Sequence, residues 1–142
     1  MATKAEGDDY NRKPKPPLLT KQELDWVKLS VLQTLLLDVL ERDIRTMRTA
    51  PLKMPEPYIA NLRRVQGEVI AELTMLRKQL RLHGIKLYAQ KRTFAGIDVQ
   101  YLCRGYDHKF SMLWAFVKAE IKTKLCAYFA IDVTALQERE DF

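Results

Sequence analysis

Glycine is scarce in this chain: five among 142 residues, none of them clustered. That scarcity excludes the glycine-rich loops that cradle phosphates or dinucleotides, and no G-x-S-x-G nucleophile turn occurs either. Cysteine and histidine number two each, too few for a disulfide framework. A structural zinc site needs close ligand pairs such as C-x-x-C, but Cys103 and His108 lie five apart, with His83 and Cys126 farther off. Long uncharged apolar runs are missing as well. The most apolar window, VKLSVLQTLLLDVL, contains Lys28 and Asp38 and runs into Glu41, Arg42 and Asp43, whereas a bilayer span needs ~20 largely uncharged residues. The N-terminal MATKAEGDDYNRKPKPP lacks the apolar centre of a signal peptide. Together these absences predict a cytoplasmic chain with reduced thiols, no membrane contact, no metal, no cofactor and no enzymatic activity.

What is present is a sizeable apolar fraction, 47%, and a net charge of +6. The charge is unevenly placed. Residues 1–20 carry +1, residues 21–50 cancel, residues 51–131 carry +8, and the last eleven, DVTALQEREDF, carry −3. A basic folded surface suits an anionic partner, either nucleic acid or an acidic protein.

Proline at positions 14, 16 and 17 and few apolar side chains predict a flexible, basic, Pro-rich arm over 1–19. A single α+β domain is predicted over 20–131, and an acidic C-terminal tail over 132–142. Thr20 and Glu23 form a T-x-x-E capping box, so a first helix starts at Lys21 and continues to about Arg48. Two apolar stripes run along it. One is Leu24, Val27, Val31 and Leu35; the other is Leu29, Leu32, Leu36, Val39 and Leu40. An arc that wide is either packed on two sides or shared with a second copy, and the second stripe is the predicted oligomer interface. Prolines in TAPLKMPEPY end this helix and start another, with Pro57 in its first turn and Gly84 beyond its end. Leu62, Val65, Val69, Leu73, Leu76 and Leu80 are its seam, and the two helices form a long antiparallel hairpin.

From Ile85 the period falls to two. Ile85, Leu87 and Ala89 face one way and Lys86, Tyr88, Gln90 and Arg92 the other. Gly96 is expected in a left-handed turn position, followed by a return strand with Ile97, Val99, Tyr101 and Cys103 inward. A C-terminal helix is expected from Asp107 or His108 to about Ala130, giving a two-stranded β-hairpin and the order α-α-β-β-α around one core.

The stretch YLCRGYDHKFSMLW crowds Cys103, Arg104, Asp107, His108 and Lys109 together. A Cys103–His108 nucleophile pair would need an exposed thiol, and the strand alternation turns Cys103 inward. The better reading is a binding edge. A helix starting at Asp107 would aim free amides outward and attract anions, among Arg104, Tyr106, His108 and Lys109. Lys86, Tyr88 and Arg92 on the hairpin would extend that surface along a phosphate backbone. Arg63, Arg64, Arg77, Lys78 and Arg81 on helix two are a second basic set, partly neutralised by Glu68 and Glu72.

The hairpin followed by YLCRGYDHKFSMLWAFVKAEI resembles small uncharacterised proteins of spore-forming bacteria, their prophages and mobile elements. The resemblance covers residues 56–131 and implies a small accessory or regulatory protein. The sequence as a whole predicts an oligomeric binding or regulatory protein that engages nucleic acid through the hairpin and the helix N-terminus. The alternative is a protein-interaction module, an inhibitor or adaptor, that binds an acidic surface of another protein.

Overall fold

The computed structural model describes residues 19–140. The arm expected over 1–19 lies outside them except for Leu19, which packs against the core. The element order is α1 (Lys21–Thr49), α2 (Pro55–Leu82), β1 (Ile85–Arg92), β2 (Gly96–Cys103), β3 (Tyr106–Leu113), α3 (Trp114–Tyr128) and α4 (Val133–Glu140). The α+β class and the helical hairpin hold; the sheet has three strands rather than two.

The capping box starts α1 as expected. The Glu23 amide donates to Thr20 Oγ1 at 3.0 Å, and the Thr20 amide donates to Glu23 Oε1 at 3.0 Å. Pro55 opens α2, where a missing N–H leaves nothing unsatisfied. Glu41 of α1 meets Arg63 and Gln66, while Gln33, earlier on α1, meets Glu72, later on α2. The two helices are therefore antiparallel.

Both stripes of α1 are used within the one chain. Val27, Val31 and Leu35 are buried, and so are Leu32, Leu36 and Leu40, at 4% exposure or less. The expected oligomer interface is thus corrected for these three, which have no surface to offer a second copy; Leu29 is half-buried and Val39 borders a groove described below. The physical reason is that α1 is the central helix, flanked by α2 and α3, with the inner sheet face in the same cluster. Each such aliphatic side chain stabilises the fold by roughly 1.5–3 kcal/mol through burial.

The sheet is an antiparallel meander, order β1-β2-β3. Ile97, Val99, Tyr101 and Cys103 point inward as expected and are all buried. Two local features depart from the expected alternation. Register shifts between Leu87 and Ala89, so Tyr88 is an extra residue in β1. Such a bulge reverses the alternation beyond it. Arg92, expected outward, pairs with Ile97 on the inner face and donates to Asp38 of α1 at 2.6 Å. Gly96 is not left-handed. It is glycine because a Cβ there would sit 2.0 Å from the Met112 carbonyl oxygen of β3.

The largest correction concerns residues 104–113. Arg104 and Gly105 both have positive φ, 50° and 89°, and join Cys103 to Tyr106 as paired neighbours. Positive φ at both positions of a two-residue loop is what a tight hairpin turn matching strand twist requires. The chain therefore enters β3, and the helix begins at Trp114, seven residues later than Asp107.

Candidate functional site

With β3 in place, the expected helix N-terminus beside Arg104 does not exist, and Asp107 is a strand residue rather than a cap. Arg104 is occupied structurally. Its Nη1 donates to Glu23 Oε2 at 2.9 Å and to the His83 carbonyl at 2.8 Å, and its Nη2 donates to Glu23 Oε1 at 3.2 Å. This fork holds the Glu23 carboxyl at about 2, well below the usual carboxylate range. His108 lies on the inner face, stacked on Tyr101 at 5.3 Å, and its Nε2 is buried without a hydrogen bond among the described residues. Cys103 is buried, which pushes its thiol up. His83 instead packs edge-on against Trp26. Among the described residues no three His, Cys, Asp or Glu side chains are grouped to hold a metal ion.

The seven residues expected to form one anion-binding surface divide between two faces. Arg92, Arg104, Tyr106 and His108 belong to inner-face positions or the turn. Lys86, Tyr88 and Lys109 lie outside, with Lys91. That outer face also carries acids. Leu102 separates Lys86 from Asp107, and Lys91 lies opposite Asp98. The Tyr88 hydroxyl donates to Asp107 Oδ1 at 2.7 Å, and Ser111 donates to Asp98 Oδ1 at 2.6 Å. Three lysines against two carboxylates make a nearly balanced surface.

A different feature stands out on the side where α3 meets α1. A groove of about 760 Å³ runs between them, bounded by Leu35, Val39, Val117, Ile121, Leu125 and Phe129. Arg42, Arg92, Lys118 and Lys122 stand around it, with Asp38 as the single acid among the described residues. Arg42 and Lys118 are exposed and make no ion pair among the described residues. Two anchors set the position of α3. The Trp114 indole N–H donates to the Thr93 carbonyl at 2.8 Å, fastening its start to the β1–β2 turn. At its end the Tyr128 hydroxyl donates to Glu72 Oε2 at 2.6 Å, and Gln33 Nε2 donates to the same oxygen at 3.0 Å. Burial and that carboxylate push the Tyr128 hydroxyl up to about 12.

Beyond α3 the chain reverses through a Schellman turn. The Ile131 amide donates to the Cys126 carbonyl at 2.8 Å and the Ala130 amide to the Ala127 carbonyl at 3.2 Å, with Ala130 at φ 58°. The stretch expected as an acidic tail thus continues as α4, and Ile131 and Leu136 close one end of the groove. Asp132 starts α4 by accepting from the Thr134 amide at 3.0 Å.

The sequence reading missed this groove because the stripe on α3 looked like core alone. Val117 and Ile121 are core, but Leu125 and Phe129 are only half-buried. The usable signal was Lys118 and Lys122, four apart beside that stripe, where a fully covered helix has no cationic margin. A family model described as YhjD protein matches residues 18–133, and the chain belongs to that family. No curated protein and no solved structure matches the chain.

Proposed function

We propose that this member of the YhjD family is a non-enzymatic cytoplasmic binding protein whose α1–α3 groove takes an acidic amphipathic helix of a partner protein. The observation that carries the reading is an open apolar groove with four cations and one acid around it among the described residues. From Trp114 to Leu125 the groove follows α3 for about 16 Å at 1.5 Å per residue, about three turns of a docked helix. A helix lying there would seat apolar residues at i, i+3 or i+4, and i+7, while its carboxylates meet Arg42 and Lys118. Charge of that kind sets partner choice and approach rate more than raw affinity.

Nucleic acid is the weaker reading. It relied on a helix N-terminus at Asp107 and on basic residues interleaved with Tyr88 along the hairpin; β3 removes the first, and the outer carboxylates and the inward Arg92 weaken the second.

The test is a fluorescence-polarisation titration of the full chain with a labelled amphipathic helix bearing glutamates on its polar face. The same helix with lysines, a DNA duplex and a single strand serve as competitors. The glutamate helix should bind at least about tenfold tighter than the lysine helix at low salt and shift the emission of Trp114. Equal affinity for both helices, or tighter binding to nucleic acid with a steep salt dependence, would overturn the reading.

A further inference from the structure

A second pocket, of about 310 Å³, opens at the free edge of the sheet, where β1 meets the last turns of α2. Three cations line it: Arg77 and Arg81, one helical turn apart on α2, and Lys86 on β1. No acid lines it among the described residues. It shares no lining residue with the α1–α3 groove and is independent of it.

These three charges are unspent. None of the three side chains makes an ion pair or a hydrogen bond among the described residues. Acids on the same and neighbouring elements are occupied: Glu72 by Tyr128 and Gln33, Glu23 by Arg104, and Asp107, across Leu102 from Lys86, by Tyr88. From Leu73 to the end of α2 the sequence holds no acid. Arg81 lies in the last turn, where a cation complements the helix dipole, but that does not account for Lys86 on the facing strand. Arg77 and Arg81, four apart, repel each other, and an anion between them would offset that repulsion.

The other walls suit a small molecule, and the volume is at the lower end of ligand pockets. Leu80, Ile85 and Leu87 supply apolar surface. The Arg104 amide donates to the Gly84 carbonyl at 2.7 Å, which makes those two a hydrogen-bonded pair, and Lys86 with Leu102 is the next such pair. Ile85 and Leu87 therefore turn their N–H and C=O groups away from β2, toward the edge where the pocket lies. The Ser30 and Thr34 hydroxyls, donating to the Val27 and Ser30 carbonyls at 2.8 and 2.9 Å, keep lone pairs for a ligand O–H. We propose that this pocket binds a phosphate group, either free or as the ester of a small hydroxyl-bearing molecule such as a sugar. The guanidinium forks of Arg77 and Arg81 match phosphate oxygens, and Lys86 adds a point charge from the strand side.

The test is isothermal titration calorimetry of the full chain with inorganic phosphate, ribose 5-phosphate and ribose, at about 0.15 M salt to screen distant charges. A phosphate-bearing probe should bind with a Kd below about 1 mM, and ribose should not bind. Tighter binding of ribose 5-phosphate than of inorganic phosphate assigns the ester; equal binding assigns the free anion. Arg77→Gln and Lys86→Gln should each weaken binding by about tenfold with an unchanged melting temperature, because both side chains are exposed and unpartnered among the described residues. Lys78→Gln makes the same charge change on an exposed residue that does not line the pocket, and should alter binding by less than about twofold. Failure of both phosphate-bearing probes to bind would overturn the proposal. Equal weakening by all three substitutions would overturn it too, as attraction to net charge alone.

Discussion

Arg104 and Glu23, 81 residues apart, form a two-pronged ion pair that locks the β2–β3 turn onto the first turn of α1. Glu23 serves two structures at once, since its Oε1 also accepts from the Thr20 amide in the capping box. Arg104 sits at φ 50°, a left-handed conformation costing a non-glycine residue about 1–2 kcal/mol. The fork offsets that cost, and Glu23 is 5% exposed, so little water competes.

Glu23→Gln should therefore destabilise the protein by roughly 3 kcal/mol near neutral pH, since it leaves a guanidinium without its counter-charge. The pH dependence has a definite sign. The folded carboxyl is held down at about 2 against an ordinary 4.5, so its stabilisation is present above 4.5 and lost as pH falls toward 2. Urea unfolding of the native and Glu23→Gln proteins should show a gap that is constant above pH 5 and closes toward pH 2. A gap independent of pH would contradict the ion pair as its source.

Two glycines should respond to alanine in opposite ways. Gly96→Ala forces a Cβ to 2.0 Å from the Met112 carbonyl, so the β2–β3 ladder must open, at a cost of more than about 3 kcal/mol. Gly67 lies inside α2 with nothing within 4 Å of an added Cβ, and Gly67→Ala should raise stability by about 0.5–1 kcal/mol. Thermal melts of the two variants check both signs.

Much of the helical architecture was legible because its signals are local. Thr20 with Glu23, Pro57 and Gly84 marked helix ends through chemistry confined to a few residues. β3 was not legible, because Phe110, Leu113, Trp114 and Val117 also fit a helical period and the turn begins with Arg104. Asparagine or aspartate before Gly105 would have signalled a two-residue hairpin; arginine hid it. The extra Tyr88 in β1 is equally silent in the sequence, yet it decides that Arg92 meets Asp38. The groove depended on both errors, since its geometry follows from where β3 ends and α3 begins.

Ala130 occupies the left-handed position of the Schellman turn, where glycine carries no Cβ penalty. Ala130→Gly should stabilise the protein, by up to about 1 kcal/mol, and slow amide exchange at Ile131, whose N–H closes that turn. Faster exchange at Ile131 would show that the turn is not maintained as described.

Tyr128 gives a second titration, of opposite direction to that of Glu23. Burial first and the Glu72 carboxylate second raise its hydroxyl to about 12 from 10.0. Its favourable contribution is complete below pH 10 and declines as pH rises toward 12. Tyr128→Phe should cost roughly 1–2 kcal/mol at pH 8, because Glu72 and Gln33 lose their shared partner, and the cost should shrink at pH 11. Stability measured at both values decides it.

The most direct test of the groove as an acidic-helix site is a charge exchange on its margin. Arg42→Glu with Lys118→Glu alters two exposed side chains that make no ion pair among the described residues, so the fold should be unaffected. Polarisation titrations should show this variant losing the glutamate-faced helix by at least about tenfold and gaining the lysine-faced one. If the variant binds the glutamate-faced helix as tightly as the native chain does, the account of the groove is wrong.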